Sequence, residues 1–182
     1  KDAKELGTYN REFWVFVGAA VLGLSAFQLT FTTSIPVYNK IAEAFGILSN
    51  IALPADQAEH YSKIQIWIFL AVAILSAIGQ YVWWGKIKKS TSFKPLLSPA
   101  LVATLLSVVF INIGKIYTLP YIALLWSSLF AVLANFKIMW FLIRERFSLA
   151  GGAMAHVGLA IMLIGILFSA GYSNVVSLNR SG

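Results

Sequence analysis

Leu149-Ala-Gly-Gly-Ala-Met-Ala-His-Val-Gly-Leu-Ala-Ile-Met-Leu-Ile-Gly-Ile-Leu-Phe-Ser-Ala170 runs for 22 residues without a charged side chain. A helix needs about 20 apolar residues to cross the hydrocarbon layer of a bilayer, so this stretch is long enough to span one. Four more apolar runs precede it, at residues 13–33, 64–84, 96–114 and 119–143. Composition agrees with the runs: the 182 residues are 59% apolar, 14% aromatic and 12% charged, with a mean hydropathy of +0.78. Soluble domains carry about 25% charged residues and are less than half apolar, so a soluble globular chain and a disordered one are both excluded. Short alternating segments, the mark of a membrane β-barrel, are missing. The expected fold is therefore all-α, a polytopic transmembrane helical bundle of about five spans, with residues 1–182 forming a single membrane domain. Pro99 and Pro120 mark starts of the third and fourth spans, because proline in a first helical turn gives up an amide with no intrahelical partner.

Charge placement orients the bundle. Lys86, Lys88, Lys89 and Lys94 separate spans two and three, and Arg144 and Arg146 separate four and five. With Lys1, Lys4, Arg11 and Lys137, 10 of the 14 basic residues fall on the side of the N-terminus, leaving Lys40, Lys63, Lys115 and Arg180 opposite. Basic loops stay inside, which predicts a cytoplasmic N-terminus and a periplasmic C-terminus in a bacterial cytoplasmic membrane. The net charge of +7 is thus read as topology, and no nucleic-acid partner is expected. Tyr81, Trp83, Trp84 and Trp140 have the composition of an interfacial aromatic belt beside these basic loops. The opening at Lys1, with no Met, basic n-region or A-x-A site, predicts a fragment of a longer protein without a signal peptide of its own.

One connection is long: the outer loop, residues 36–63. Within it Val37, Ile41, Phe45 and Leu48 recur at helical spacing opposite Lys40 and Glu43, which predicts a short amphipathic helix lying on the outer membrane face or on a partner. Further on, Asp56 and His60 are spaced i,i+4, as are Glu59 and Lys63, so weak exposed pairs are available.

Few residues could carry chemistry. No carboxylate lies inside a span and no cysteine occurs, which removes buried acid relays, disulfides, thiolate metal sites and haem attachment through the chain's own C-x-x-C-H. His156 stands out, two turns past Arg146 and well inside the last apolar run. An ionised imidazole is costly there, and a neutral one is either a hydrogen-bonding group between helices or a haem or metal ligand. Gly152 and Ala160, one turn to either side, leave space beside the ring for a flat macrocycle. Gly151, Ala155, Gly158 and Gly165 form a second stripe suited to close helix packing. His60, the other histidine, is expected at the outer interface, too far from His156 to share an iron. With Asp56 it is a candidate for a partner surface or an outer haem surface. Gln80, Asn112 and Asn135 are single polar groups in spans two to four, expected to make interhelical hydrogen bonds. Lys137 is expected to snorkel to the cytoplasmic interface.

Gly152-Ala-Met-Ala-His-Val-Gly-Leu-Ala160, followed by Gly165 and Gly171-Tyr-Ser173, resembles the late membrane helix of CcmF/CcsA-type cytochrome c assembly proteins. These are the haem lyase subunits of cytochrome c maturation, with an Ala- or Gly-His-x-Gly-x-Ala signature before an outward exit. Asn10-Arg-Glu-Phe-Trp14, Ser25-Ala-Phe-Gln28, Thr32-Thr-Ser-Ile-Pro36 and Ala52-Leu-Pro-Ala-Asp-Gln-Ala-Glu-His-Tyr61 look like the same family. The resemblance implies that His156 is one axial ligand of a structural b-type haem, with the second ligand outside this chain. It implies partners as well: apocytochrome c, a haem chaperone and other maturation subunits, with haem joined to apocytochrome c on the outer side of the membrane. Trp83-Trp84-Gly85 is not the family's tryptophan-rich motif for the delivered haem, which lies upstream. The chain is accordingly expected to be inactive alone and part of a haem lyase. Two other classes remain open: a transporter or channel-like subunit in which His156 is packing, and a b-type cytochrome anchor, which would need more buried histidines.

Overall fold

The structure is a computed structural model that describes residues 11–49, 51–87 and 93–171. Lys1, Lys4, Lys88, Lys89 and Arg180 of the charge balance, and Tyr172-Ser173 of the resemblance, lie outside the described residues. Everything regular among those described is helical: α1 (Arg11–Thr33), α2 (Ile35–Ala44), α3 (Gln57–Ile87), α4 (Leu97–Gly114), α5 (Leu119–Glu145) and α6 (Gly151–Gly171). Short 3₁₀ turns, Lys94–Leu96 and Phe147–Leu149, lead into α4 and towards α6. Five of these helices, all but α2, are long and apolar enough to cross a membrane.

α5 is the axle of the bundle, packing against α3, α4 and α6, while α1 leans on α3. In α5, 56% of the most apolar window is buried, against 11% in α1. Lipid tails are as apolar as leucine, so association in a bilayer depends on close packing and polar contacts between helices. Small residues make that packing possible: Ala73 and Ala77 of α3, Ala103 of α4, Ala131 and Ala134 of α5, and Ala153 and Ala160 of α6 are each at most 1% exposed. Around them Leu124, Leu125, Leu163 and Leu167 fill the core. A second cluster at the N-terminal end of the bundle joins Tyr81, Ile138, Leu142, Ala150 and Ala153.

The ends follow from local chemistry. Asp56 precedes α3, and its carboxylate accepts the Glu59 N–H at 2.8 Å, an N-cap that begins the helix several residues before its apolar run. Residues 57–63 therefore belong to α3 rather than to the outer loop. At the other end of that loop, α2 starts one residue after α1. Pro36 cannot donate, and the Thr32 and Thr33 hydroxyls bond back to Gln28 O and Leu29 O, so the helix is interrupted at Ser34. α2 stops at a Schellman turn: Gly46, at φ +71°, donates to Glu43 O, and Ile47 donates to Ala42 O. Asn39 then ties the returning chain, exchanging hydrogen bonds with Ile51 N and O and accepting from Ser49 Oγ. The short amphipathic helix expected in this loop is α2, with Val37 and Ile41 exposed and Phe45 and Leu48 just past its end.

Several expectations are corrected by the packing. The stripe Gly151, Ala155, Gly158 and Gly165 is exposed, and a Cβ on any of its three glycines would meet nothing within 4 Å; Ala153, Ala160, Leu163 and Leu167 face the core instead. Tyr81 and Trp84 are packing groups rather than belt anchors: Tyr81 is 4% exposed and packs at a tilt against Trp84, which meets Phe141 edge-on. Trp140 does lie at the surface, with the Arg144 guanidinium 4.7 Å from its ring centroid. Lys137 donates to Pro95 O and Ser98 Oγ, clasping the start of α4.

Candidate functional site

His156 opens onto a groove of about 670 Å³ between α1, α3 and α6. α1 lines it with Trp14, Gly18 and Leu22, α3 with Val72, Ser76, Gly79, Gln80 and Trp83, and α6 with Gly151, Gly152, His156 and Leu159. Its floor at the N-terminal end of the bundle is Ser148 and Leu149. The walls are mostly aliphatic and aromatic, and the volume lies within the ~300–1,000 Å³ common for small-molecule and cofactor sites.

Two features of α1 and α3 keep this wall in place. Near the N-terminal end the helices come close at Gly79, where a Cβ would lie 3.3 Å from Trp14 Cβ. Towards the other end Ser25 Oγ donates to Gln65 Oε1 at 2.7 Å, and Gln65 Nε2 donates to Gln28 Oε1 at 2.9 Å. Gln65 is buried at 8% exposure and escaped the sequence reading, although a lone glutamine just inside an apolar run was a signal for such a seam. Gln28 is the α1 half of it.

His156 is half-buried, and among the described residues no hydrogen bond, ion pair or ring contact engages it. Gln80 is likewise half-buried and without a hydrogen-bond partner among the described residues. Gly152, one turn before His156, leaves the room its sequence position implied: a Cβ there would stand 3.8 Å from Gln80 Nε2 and 3.9 Å from Oε1. Ala160 does not share this role. It is 1% exposed and packed into the core. Asn112 and Asn135 donate to carbonyls one turn back in their own helices, Val108 O and Ala131 O, and with Gln80 facing the groove none of the three makes an interhelical hydrogen bond among the described residues. A short amide side chain in a helix reaches its own i−4 carbonyl more readily than a neighbour.

His60 lies at the far end of α3, its ring 5.6 Å from that of Tyr61. Sixteen residues of helix separate it from Ser76 in the groove wall, about 24 Å, so the two histidines face different regions. Asp56 spends its carboxylate on the α3 cap, and Glu59 pairs with Lys63 at 2.8 Å. Among the described residues no three His, Asp or Glu side chains gather. The groove thus offers one imidazole nitrogen in a mostly apolar slot.

Over 119 residues the chain is 30% identical to the cytochrome c-type biogenesis protein CcmF of Escherichia coli (strain K12). The chain is similar to a cytochrome c biogenesis protein. The matched region is 62% of this chain and 18% of that relative, so the chain spans less than a fifth of the length of the curated protein it matches. No family model matches the chain, and no solved structure does. Together with five apolar helices, the similarity supports a multi-pass membrane protein related to cytochrome c biogenesis.

Proposed function

We propose that this chain is the membrane-embedded part of a cytochrome c assembly protein and that His156 is an axial ligand of a b-type haem seated in the α1–α3–α6 groove. The observation that carries the proposal is the half-buried imidazole, without a partner among the described residues, facing an apolar slot of about 670 Å³. The residues present fit the group. Imidazole nitrogen is a haem-iron donor, Val72, Leu75 and Leu22 offer apolar walls, and Gly152 adds no side chain beside the ligand. A second ligand to the iron would come from outside this chain.

A bound haem supplies one-electron exchange. The chain's own residues do the rest: α6 presents the imidazole, α3 backs the groove, and α1 closes its side against lipid and water through the Gly79 contact and the Gln65 seam. Iron ligation needs the neutral imidazole. In the parent protein, haem would be joined to apocytochrome c outside the membrane with a haem chaperone as donor, and this region would hold the structural haem and present α2 and its loop to partners. The bundle would sit in a bacterial cytoplasmic membrane with its N-terminal end inside.

The test is a reduced-minus-oxidised visible spectrum of the intact parent in detergent, with and without His156→Ala at matched recovery. A b-type α-band that the variant loses is expected. A parent without the band, or a variant that keeps it, makes His156 a packing residue and favours a transporter-like or scaffold role.

A further inference from the structure

We infer that Gln80 is a positioning residue for the His156 imidazole, its carboxamide oxygen accepting the ring N–H that does not face the ligand. The inference rests on the haem ligation proposed above. A metal-bound histidine nearly always donates its second ring N–H to an acceptor, which fixes the tautomer, the ring plane and the basicity of the ligating nitrogen. An acceptor beside the His156 ring is therefore expected.

The acceptors are few. Ser76, Gln80 and Ser148 are the hydroxyl and amide side chains lining the groove. The Ser76 hydroxyl donates to Ala73 O at 2.9 Å and keeps lone pairs with which to accept, but it is not the group that rests on the Gly152 turn of α6. Ser148 belongs to the turn before α6, below the first turn of the helix that carries His156. Gln80 is placed better. Its carboxamide lies against Gly152, with both terminal atoms within 3.9 Å of where a Cβ would stand. Helical side chains lean towards the N-terminus and cover the preceding turn, so the His156 ring leans over the Gly152 turn on which that carboxamide rests. The lack of a bulky side chain at Gly152 leaves this level of α6 open to an α3 side chain. A half-buried amide with no hydrogen bond among the described residues is costly in a bilayer, and an imidazole N–H removes that cost. No hydrogen bond joins the two side chains in the structure; rotation of the Gln80 side chain supplies it once ligation holds the ring.

The test uses the intact parent protein with Gln80→Met, close in shape but without an acceptor, and Gln80→Glu, which restores one. Haem content, midpoint potential and the low-spin electron paramagnetic resonance g-values are read for each. Loss of the acceptor makes the ligand less basic, so Gln80→Met is expected to weaken the ferric over the ferrous form about tenfold, raising the potential by ~59 mV for one electron, and to shift the g-values. Gln80→Glu brings both back towards or past wild type. Loss of haem from Gln80→Met at normal recovery, restored in Gln80→Glu, supports the assignment equally. Unchanged potential and g-values in Gln80→Met, with the band intact, overturn the role of Gln80 and leave the haem reading standing. A wild type without haem, or a band that survives His156→Ala, overturns both.

Discussion

At the scale of single residues, the groove depends on what is missing at position 152. Gly152 and Ala160 sit one turn either side of His156, which places them about 40° to either side of it around the helix. One flank faces α3 and the groove and the other faces the α5 core, and nothing in an apolar helix says which is which. Space beside the ring was therefore legible at Gly152 and misread at Ala160, which is 1% exposed in the core. The difference yields a prediction. Gly152→Ala places a methyl at 3.8 Å from Gln80 Nε2, an ordinary contact, and is expected to retain wild-type haem content in the parent protein. Gly152→Leu drives a branched side chain against the same carboxamide and is expected to lower the haem-to-protein ratio at least tenfold at unchanged recovery. Equal ratios in Ala and Leu variants would place the bound group elsewhere.

Among the elements, α1 is the one whose position is least assured and on which the groove most depends. Only 11% of its apolar window is buried, so the Ser25–Gln65–Gln28 bonds and the Gly79 approach carry the burden of holding it. Interhelical hydrogen bonds in membranes average ~0.6 kcal/mol each. Gln65→Leu removes two of them and is expected to cost about 1 kcal/mol, read as an earlier unfolding transition in mixed detergent micelles. Because α1 is a groove wall, haem should also leave the variant faster than it leaves wild type; a normal off-rate would mean that α1 is dispensable to the site. The spans themselves were plain in the sequence, since length and the lack of charge are local properties. Which helix lies at the centre was not. α5 and α1 are comparably apolar, at hydropathy 1.7 each, and differ in burial through tertiary packing that no periodicity reports.

For the whole molecule, the direction in which the bundle faces decides what the groove can do. Trp14, Gly79, Gln80 and the Ser148 floor put the groove in the half of the bundle where α1 begins and α6 begins. Basic residues cluster at that same end, with Arg144 and Arg146 in its turn and Lys94 beside α4, so the proposed orientation puts this end in the cytoplasm. A haem held there lies on the far side of the membrane from the proposed site of attachment to apocytochrome c, which suits a structural or electron-relaying haem and not the one being delivered. The chain contains no cysteine, so single replacements report topology cleanly. Ala55→Cys, in the exposed segment before α3, is expected to react with a membrane-impermeant maleimide in intact cells, and Phe147→Cys, 72% exposed between α5 and α6, only after permeabilisation. The opposite pattern would turn the groove towards the periplasm, where His156 would stand in the leaflet that meets apocytochrome c, and the bound haem would have to be reconsidered as cargo.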